Sequence, residues 1–188
     1  MPDRALHFTG NPEADAYLVS EPLALLIGFV LDQQITVQHA FSGPLTLNHR
    51  LGHLDPARIG SMDPDALAVV FRERPALHRY PNAMASRVAA LCRVIVAEYG
   101  GEARRVWADA NDGQDLQQRL LALPSIGPMK ARSLLAILSR RLGVDLPGLV
   151  EILPTHPTLG EVDSDEALER YQTTKRAHKA AMRAQARG

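Results

Sequence analysis

This chain of 188 residues has one cysteine, Cys92. That scarcity excludes an internal disulfide and any all-cysteine zinc or iron–sulfur site. Long apolar runs are missing too. The longest, Leu23 to Leu31, is nine residues, against the roughly 20 that a membrane span needs. The first residues, Met1-Pro-Asp-Arg, lack the basic and apolar regions of a signal peptide, so a cytoplasmic location away from membranes is expected. There is no charge excess either: 21 basic and 21 acidic residues give a net charge of zero, and no global basicity advertises a polyanion partner. No internal repeat or low-complexity segment stands out. Period-two alternation bounded by turn signals is also lacking, which argues against a β architecture.

What the chain does have is ordinary globular composition, with 46% apolar and 22% charged residues. One domain over 1–188 is the expectation. The charge is unevenly spread. Residues 1–122 hold 11 basic and 14 acidic side chains, whereas 123–188 hold 10 basic and 7 acidic. Lys130, Arg132, Arg140 and Arg141 fall in an acid-free stretch, and so do Lys175, Arg176, Lys179, Arg183 and Arg187. Local positive faces of this kind hold phosphates or simply face water.

Apolar periodicity is helical almost throughout, and the fold class predicted is all-α, with eight to ten mostly short helices. Asn11-Pro12, Asp55-Pro56 and Asp63-Pro64 read as capped helix starts. A strongly apolar helix is predicted over 22–33. A helix over 36–50 should bend or break at Gly43-Pro44. A long amphipathic helix spans 82–99 and ends at Gly100-Gly101. Residues 144–160 read as an extended loop. Asp163 or Ser164 starts a basic last helix over 164–186.

The most informative stretch is 115–142. One amphipathic helix ends at Ala122, the turn Leu123-Pro124-Ser125-Ile126-Gly127 follows, and a second helix begins at Pro128. Gly127 is expected to supply a positive φ or a close backbone approach. The free amides of the second helix, with Lys130 beside them, make a ready phosphate site. An ordinary helical hairpin inside a bundle would read the same way.

Leu123-Pro-Ser-Ile-Gly-Pro-Met-Lys-Ala131 resembles the Leu-Pro-Gly-(Ile/Val)-Gly-x-x-x-Ala hairpin of the helix-hairpin-helix (HhH-GPD) DNA glycosylase superfamily. Two further segments fall in that family's order. Leu25 to Thr36, with Asp32-Gln33-Gln34, is similar to its early helix ending in a Gln-Gln tetrapeptide. His78 to Val88 is similar to its Gly-x-Tyr-x-x-Lys-Ala helix start. The likeness runs over about 22–148. It implies a two-lobed all-α fold with a cleft, and a hairpin that holds the DNA backbone through main-chain amides. A Na⁺ or K⁺ ion at turn carbonyls is implied too, and no iron–sulfur cluster or other cofactor is expected. The implied partner is damaged double-stranded DNA bound by a monomer. Ser125, Gly127, Met129 and Lys130 would contact DNA, and Gln33 and Gln34 would probe the stack vacated by a flipped base.

The chain departs from that pattern in three places. Ser125 replaces the first hairpin glycine. Met129 stands where strand-cleaving members carry lysine, and Lys130 lies one residue on, about 100° round a helix. A Schiff-base lyase is therefore not expected. The family's aspartate would fall near 147–149, which here is Pro-Gly-Leu. Asp145 is the nearest acid and is the catalytic candidate, through a shortened loop. Asp32, beside the glutamine pair, is the second candidate acid: it either faces the cleft or, as the favoured expectation, sits on the surface at a helix end. Tyr80 either lines the base pocket or, as the favoured expectation, packs at a helix start; Trp107 reads as a packing residue, and Cys92 as buried and inert. His49 and His53 have metal-ligand spacing, but Gly52 between them points to a loop. The expected function is base-excision repair by a monofunctional DNA glycosylase. The alternatives are a non-catalytic module that recognises distorted DNA, and a protein-interaction scaffold that keeps the fold without DNA.

Overall fold

The computed structural model describes residues 5–186. Ten α-helices and two short 3-10 turns make up its regular structure, with no strand among the described residues. The all-α expectation therefore holds. Three helices start as the sequence predicts, on an Asn or Asp cap followed by proline. These are α1 (Pro12–Ser20), α4 (Pro56–Ser61) and α5 (Pro64–Arg72), where Asn11, Asp55 and Asp63 accept first-turn amides.

The helix α2 (Pro22–Leu31) runs through the centre, with every residue from Leu23 to Leu31 buried. It packs on α3 (Val37–Leu51) and on α6 (Pro81–Tyr99). The rings of Phe8 and Phe29 both meet Phe41 edge to face, at 5.2 and 5.1 Å between centroids. A Cβ on Gly28 would lie 2.4 Å from Phe41 Cδ1, so glycine lets α3 approach α2 this closely.

Of the bend or break expected at Gly43-Pro44, the break does not occur: α3 is continuous through it. Proline there removes one helical hydrogen bond. Burial offsets the loss: Gly43 and Pro44 are both buried, and a Cβ on Gly43 would lie 2.6 Å from Leu31 Cδ1. The remaining helices follow their signals. Gly100 ends α6 at φ +63°, and a short α7 (Arg105–Ala108) buries Trp107. The hairpin is α8 (Gly113–Ala122), capped by Asp112, and α9 (Pro128–Arg140). Ser164 caps α10 (Asp165–Gln185). Arg187, the last cation of the C-terminal basic stretch, lies outside the described residues, as do Met1 to Arg4.

The segment read as an extended loop is tied down. Its 3-10 turns are Val150–Ile152 and Leu159–Glu161. Glu161 bonds the Thr158 amide and hydroxyl and pairs with Arg140 of α9. The Gly113 amide donates to Pro147 O at 2.8 Å. No single helix among the described residues is long and apolar enough to cross a membrane.

Two glycines test this packing. Gly113→Ala is expected to cost about 1–3 kcal/mol, an overpacking penalty, because its methyl would lie 2.6 Å from Leu149 Cα. Gly127→Ala should cost less than about 1 kcal/mol, the scale of a helix-cap change, because nothing lies within 4 Å and φ is −87°. Thermal unfolding of both variants beside the parent checks this, and equal melting temperatures would refute the close approach at Gly113.

Candidate nucleic-acid interface

The buried α2 ends at Asp32, whose amide bonds Gly28 O at 3.0 Å. The chain then bends through Gln33 and Gln34 before Thr36 caps α3. A buried histidine fixes this bend. The Tyr80 amide donates to His78 Nδ1 at 3.0 Å, so Nε2 carries the ring proton and donates to Gln33 O at 2.9 Å. Acceptance at Nδ1 requires the neutral ring, and burial pushes the His78 pKa below its ordinary value, in the same direction. Gln33 also donates to Val30 O at 2.8 Å and accepts from Arg87 of α6.

Among the described residues only two non-glycines have positive φ, Gln34 at +56° and Ser125 at +64°. Such backbone costs an L-residue roughly 1–2 kcal/mol and concentrates at functional sites. Both residues lie beside Asp32's surroundings. A cavity of about 830 Å³ is lined by Gln33, Arg87, Ser125, Gly127, Met129 and Lys130. A second, of about 500 Å³, is lined by Asp32, Gln34 and Arg79 together with Lys175 and other cations of α10. The two glutamines thus face different cavities.

Of the two roles expected for Gly127, the positive φ is absent. Gly127 has an extended backbone with open space at its Cβ position, while the positive φ falls on Ser125. Gly127 leaves room outside the fold, next to the first-turn amides of Met129 and Lys130, which have no intrahelical acceptor. Met129 is 79% exposed. Lys130 is half-buried, and its Nζ donates to Ser125 O at 3.4 Å. The carbonyls of Leu123 and Gly127 accept the amides of Ile126 and Ala131. An ammonium thus already sits at the turn, and a Na⁺ or K⁺ ion would compete with it.

Asp32 is not the surface residue expected. It is partly buried, and burial raises its pKa against the pull of Lys175 and Lys130. Burial likewise pushes Lys130 down to about 8, against the opposing pull of Asp32. Tyr171 of α10 is raised to about 12 by burial and by the Asp32 charge. One acid, one hairpin lysine and two α10 side chains therefore share a single environment.

Asp145 is placed elsewhere. It is exposed and lines a cavity of about 620 Å³ with Val19, Glu21, Pro22, Arg104 and Trp107. That cavity shares no residue with the two around Asp32. Asp32 follows the C-terminal end of α2, while Pro22 opens it, and ten residues of helix span about 15 Å. Val144 N bonds Leu138 O, and the Pro147 contact to Gly113 holds the loop against α8.

The other assignments divide. Trp107 and Cys92 are buried, and burial raises the Cys92 thiol to about 12. Tyr80 is 44% exposed rather than packed, with the Arg79 guanidinium 5.0 Å from its ring centroid. His49 stands 3.9 Å from Glu13. No group of three metal-ligand side chains occurs among the described residues. Sequence reasoning missed Lys175 and Tyr171 as neighbours of Asp32, and Arg87 as the partner of Gln33. Only the C-terminal basic stretch signalled any of them.

Comparisons of the chain with protein-family models, with curated proteins and with solved structures find no match.

The coupling between Asp32 and Lys130 has a signed consequence. The carboxylate favours the ammonium, so Asp32→Asn should drop the Lys130 pKa below its value of about 8. With only three lysines in the chain, NMR titration of the dimethylated protein reads it directly. A Lys130 that titrates like a free lysine in both proteins would show that the two groups do not interact.

Proposed function

We propose that this chain binds damaged duplex DNA and hydrolyses the N-glycosidic bond of a flipped base, as a monofunctional glycosylase with a two-lobed HhH-GPD-like fold. The observation that carries this reading is the position of Asp32. It is a half-buried carboxylate in a basic cavity, and the next residue, Gln33, lines the hairpin cavity together with Lys130.

In this reading the backbone phosphates lie against the amides of Met129 and Lys130, in the space that Gly127 leaves open. Lys130 adds a positive charge there. Gln33 and Gln34 stand at the vacated stack, each facing one cavity. Tyr80, exposed and flanked by Arg79, is a platform on which a base can stack. Departure of the base leaves oxocarbenium character on the sugar. Asp32 stabilises that charge or takes a proton from the attacking water, and burial strengthens it as a base. Asp145, the acid nearest the family's position, has no part in this scheme, because its cavity is separate. No step runs through a metal ion.

A base-release assay on duplexes with alkylated, deaminated and oxidised bases tests the reading. Asp32→Asn should slow release about 10²–10⁴-fold, the usual worth of a general acid or base, while Asp145→Asn releases at the parent rate. Replacing Gly127 with Ala and Lys130 with Gln together should abolish duplex binding. Base release that survives Asp32→Asn removes the assigned acid. Trapping of the parent on DNA by borohydride would overturn the monofunctional assignment. Binding with no release on any lesion makes the chain a non-catalytic recognition module.

A further inference from the structure

The hairpin accounts for one side of Asp32. The other side is the cavity of about 500 Å³ between the 32–37 bend and α10. Five cations line it: Arg79, Lys175, Arg176, Lys179 and Arg183. Asp32 is its only acid and is partly buried. None of the five cations makes an ion pair among the described residues, although the same helix carries Asp165, Glu166 and Glu169 in its first turns.

The placement along α10 is regular. Lys175, Arg176, Lys179 and Arg183 follow the 3- and 4-residue spacing that keeps side chains on one helix face. Gln172 begins that face and locks it to the core, exchanging hydrogen bonds with Gln38 of α3 at 2.5 and 3.5 Å. Beyond Tyr171 and Gln172 the helix is exposed. Four like charges on one exposed face repel one another unless anions lie along them. From Lys175 to Arg183 the helix rises about 12 Å, which spans three or four phosphates at about 3.4 Å of axis each.

We infer that this face of α10, with Arg79 opposite, is a second phosphate clamp that holds DNA backbone on the far side of the reacting nucleotide from the hairpin. The inference rests on the DNA reading above and assigns the C-terminal helix to it. The hairpin cavity ends at Gln33 and Lys130, and the α10 cavity begins at Asp32 and Gln34. The two clamps therefore flank the acid, one on each side. This arrangement draws the backbone taut across Asp32 and presents the sugar between the clamps to its carboxylate. The remaining faces of α10 carry alanines and a single exposed large apolar residue, Met182, which is too little for insertion into a lipid surface.

The test uses the full chain and a duplex carrying a reduced abasic site. Arg176→Gln, Lys179→Gln and Arg183→Gln are combined in one variant. These side chains are exposed and unpaired, and their removal relieves like-charge repulsion, so the melting temperature should not fall. The slope of log affinity against log salt should become shallower by about 0.9 for each phosphate that is no longer neutralised, up to roughly 2.7 in all. A variant with Arg176→Lys and Arg183→Lys should keep the parent slope. Phosphate-ethylation interference should show two patches flanking the lesion. The glutamine variant should lose one of them and keep the other.

An unchanged slope in the glutamine variant, with binding lost in the hairpin variant, overturns the clamp and leaves the DNA reading standing. No DNA binding by the parent overturns both. Binding of α10 to phosphatidylserine vesicles, lost in the glutamine variant while DNA affinity is unchanged, assigns the face to a membrane surface and also overturns the clamp.

Discussion

Burial of α2 is the constraint from which the site follows. A ten-residue helix whose residues 23–31 are all removed from water cannot shift without exposing Leu25, Leu26, Ile27, Phe29 and Val30. Each such side chain contributes about 1.5–3 kcal/mol by leaving water. The helix is therefore a rigid axle, and whatever stands at its end is held in place. At its C-terminal end stands Asp32. The next two residues are fixed by a buried, neutral His78 that bonds Gln33 O on one side and takes the Tyr80 amide on the other. That bend carries one of the two strained non-glycine residues of the described chain.

The charges around Asp32 explain one another. A carboxylate removed from water favours its proton, and an ammonium removed from water gives its proton up. Asp32 and Lys130 show both effects, and each opposes the shift of the other. Lys175 adds a second positive charge from a different element. Helices from three distant parts of the chain therefore converge on one acid, while Asp145 stands exposed against another cavity. The 149–162 segment contributes by bracing. Through Thr158, Gly160 and Glu161 it holds α9, and so the hairpin, from behind.

Much of the architecture was legible in the sequence because the signals are local. Asx-Pro pairs mark the starts of α1, α4 and α5, Gly100 marks the end of α6, and apolar periodicity marks the hairpin helices. Local rules misled where distant packing outweighed them. Pro44 sits inside a continuous α3 because Gly43 and Pro44 are buried against α2. Gly127 proved extended, and the positive φ falls two residues back, on Ser125.

The site was legible only in part. Gln33, Gln34, Ser125, Gly127, Met129 and Lys130 were marked by motif, and all but Gln34 line one cavity. The sequence by itself determined the helices, the hairpin and the acid-free basic stretches, because capping and periodicity act over a few residues. Tertiary structure alone decided which acid meets the hairpin. The distance between Asp32 and Lys130 depends on how the fold brings the bend after α2 to the hairpin and to α10, and no spacing along the chain encodes it. Counting from the hairpin led to Asp145, since a count measures length along the backbone. The fold closes space between residues almost a hundred positions apart, and in that space burial and charge set the chemistry.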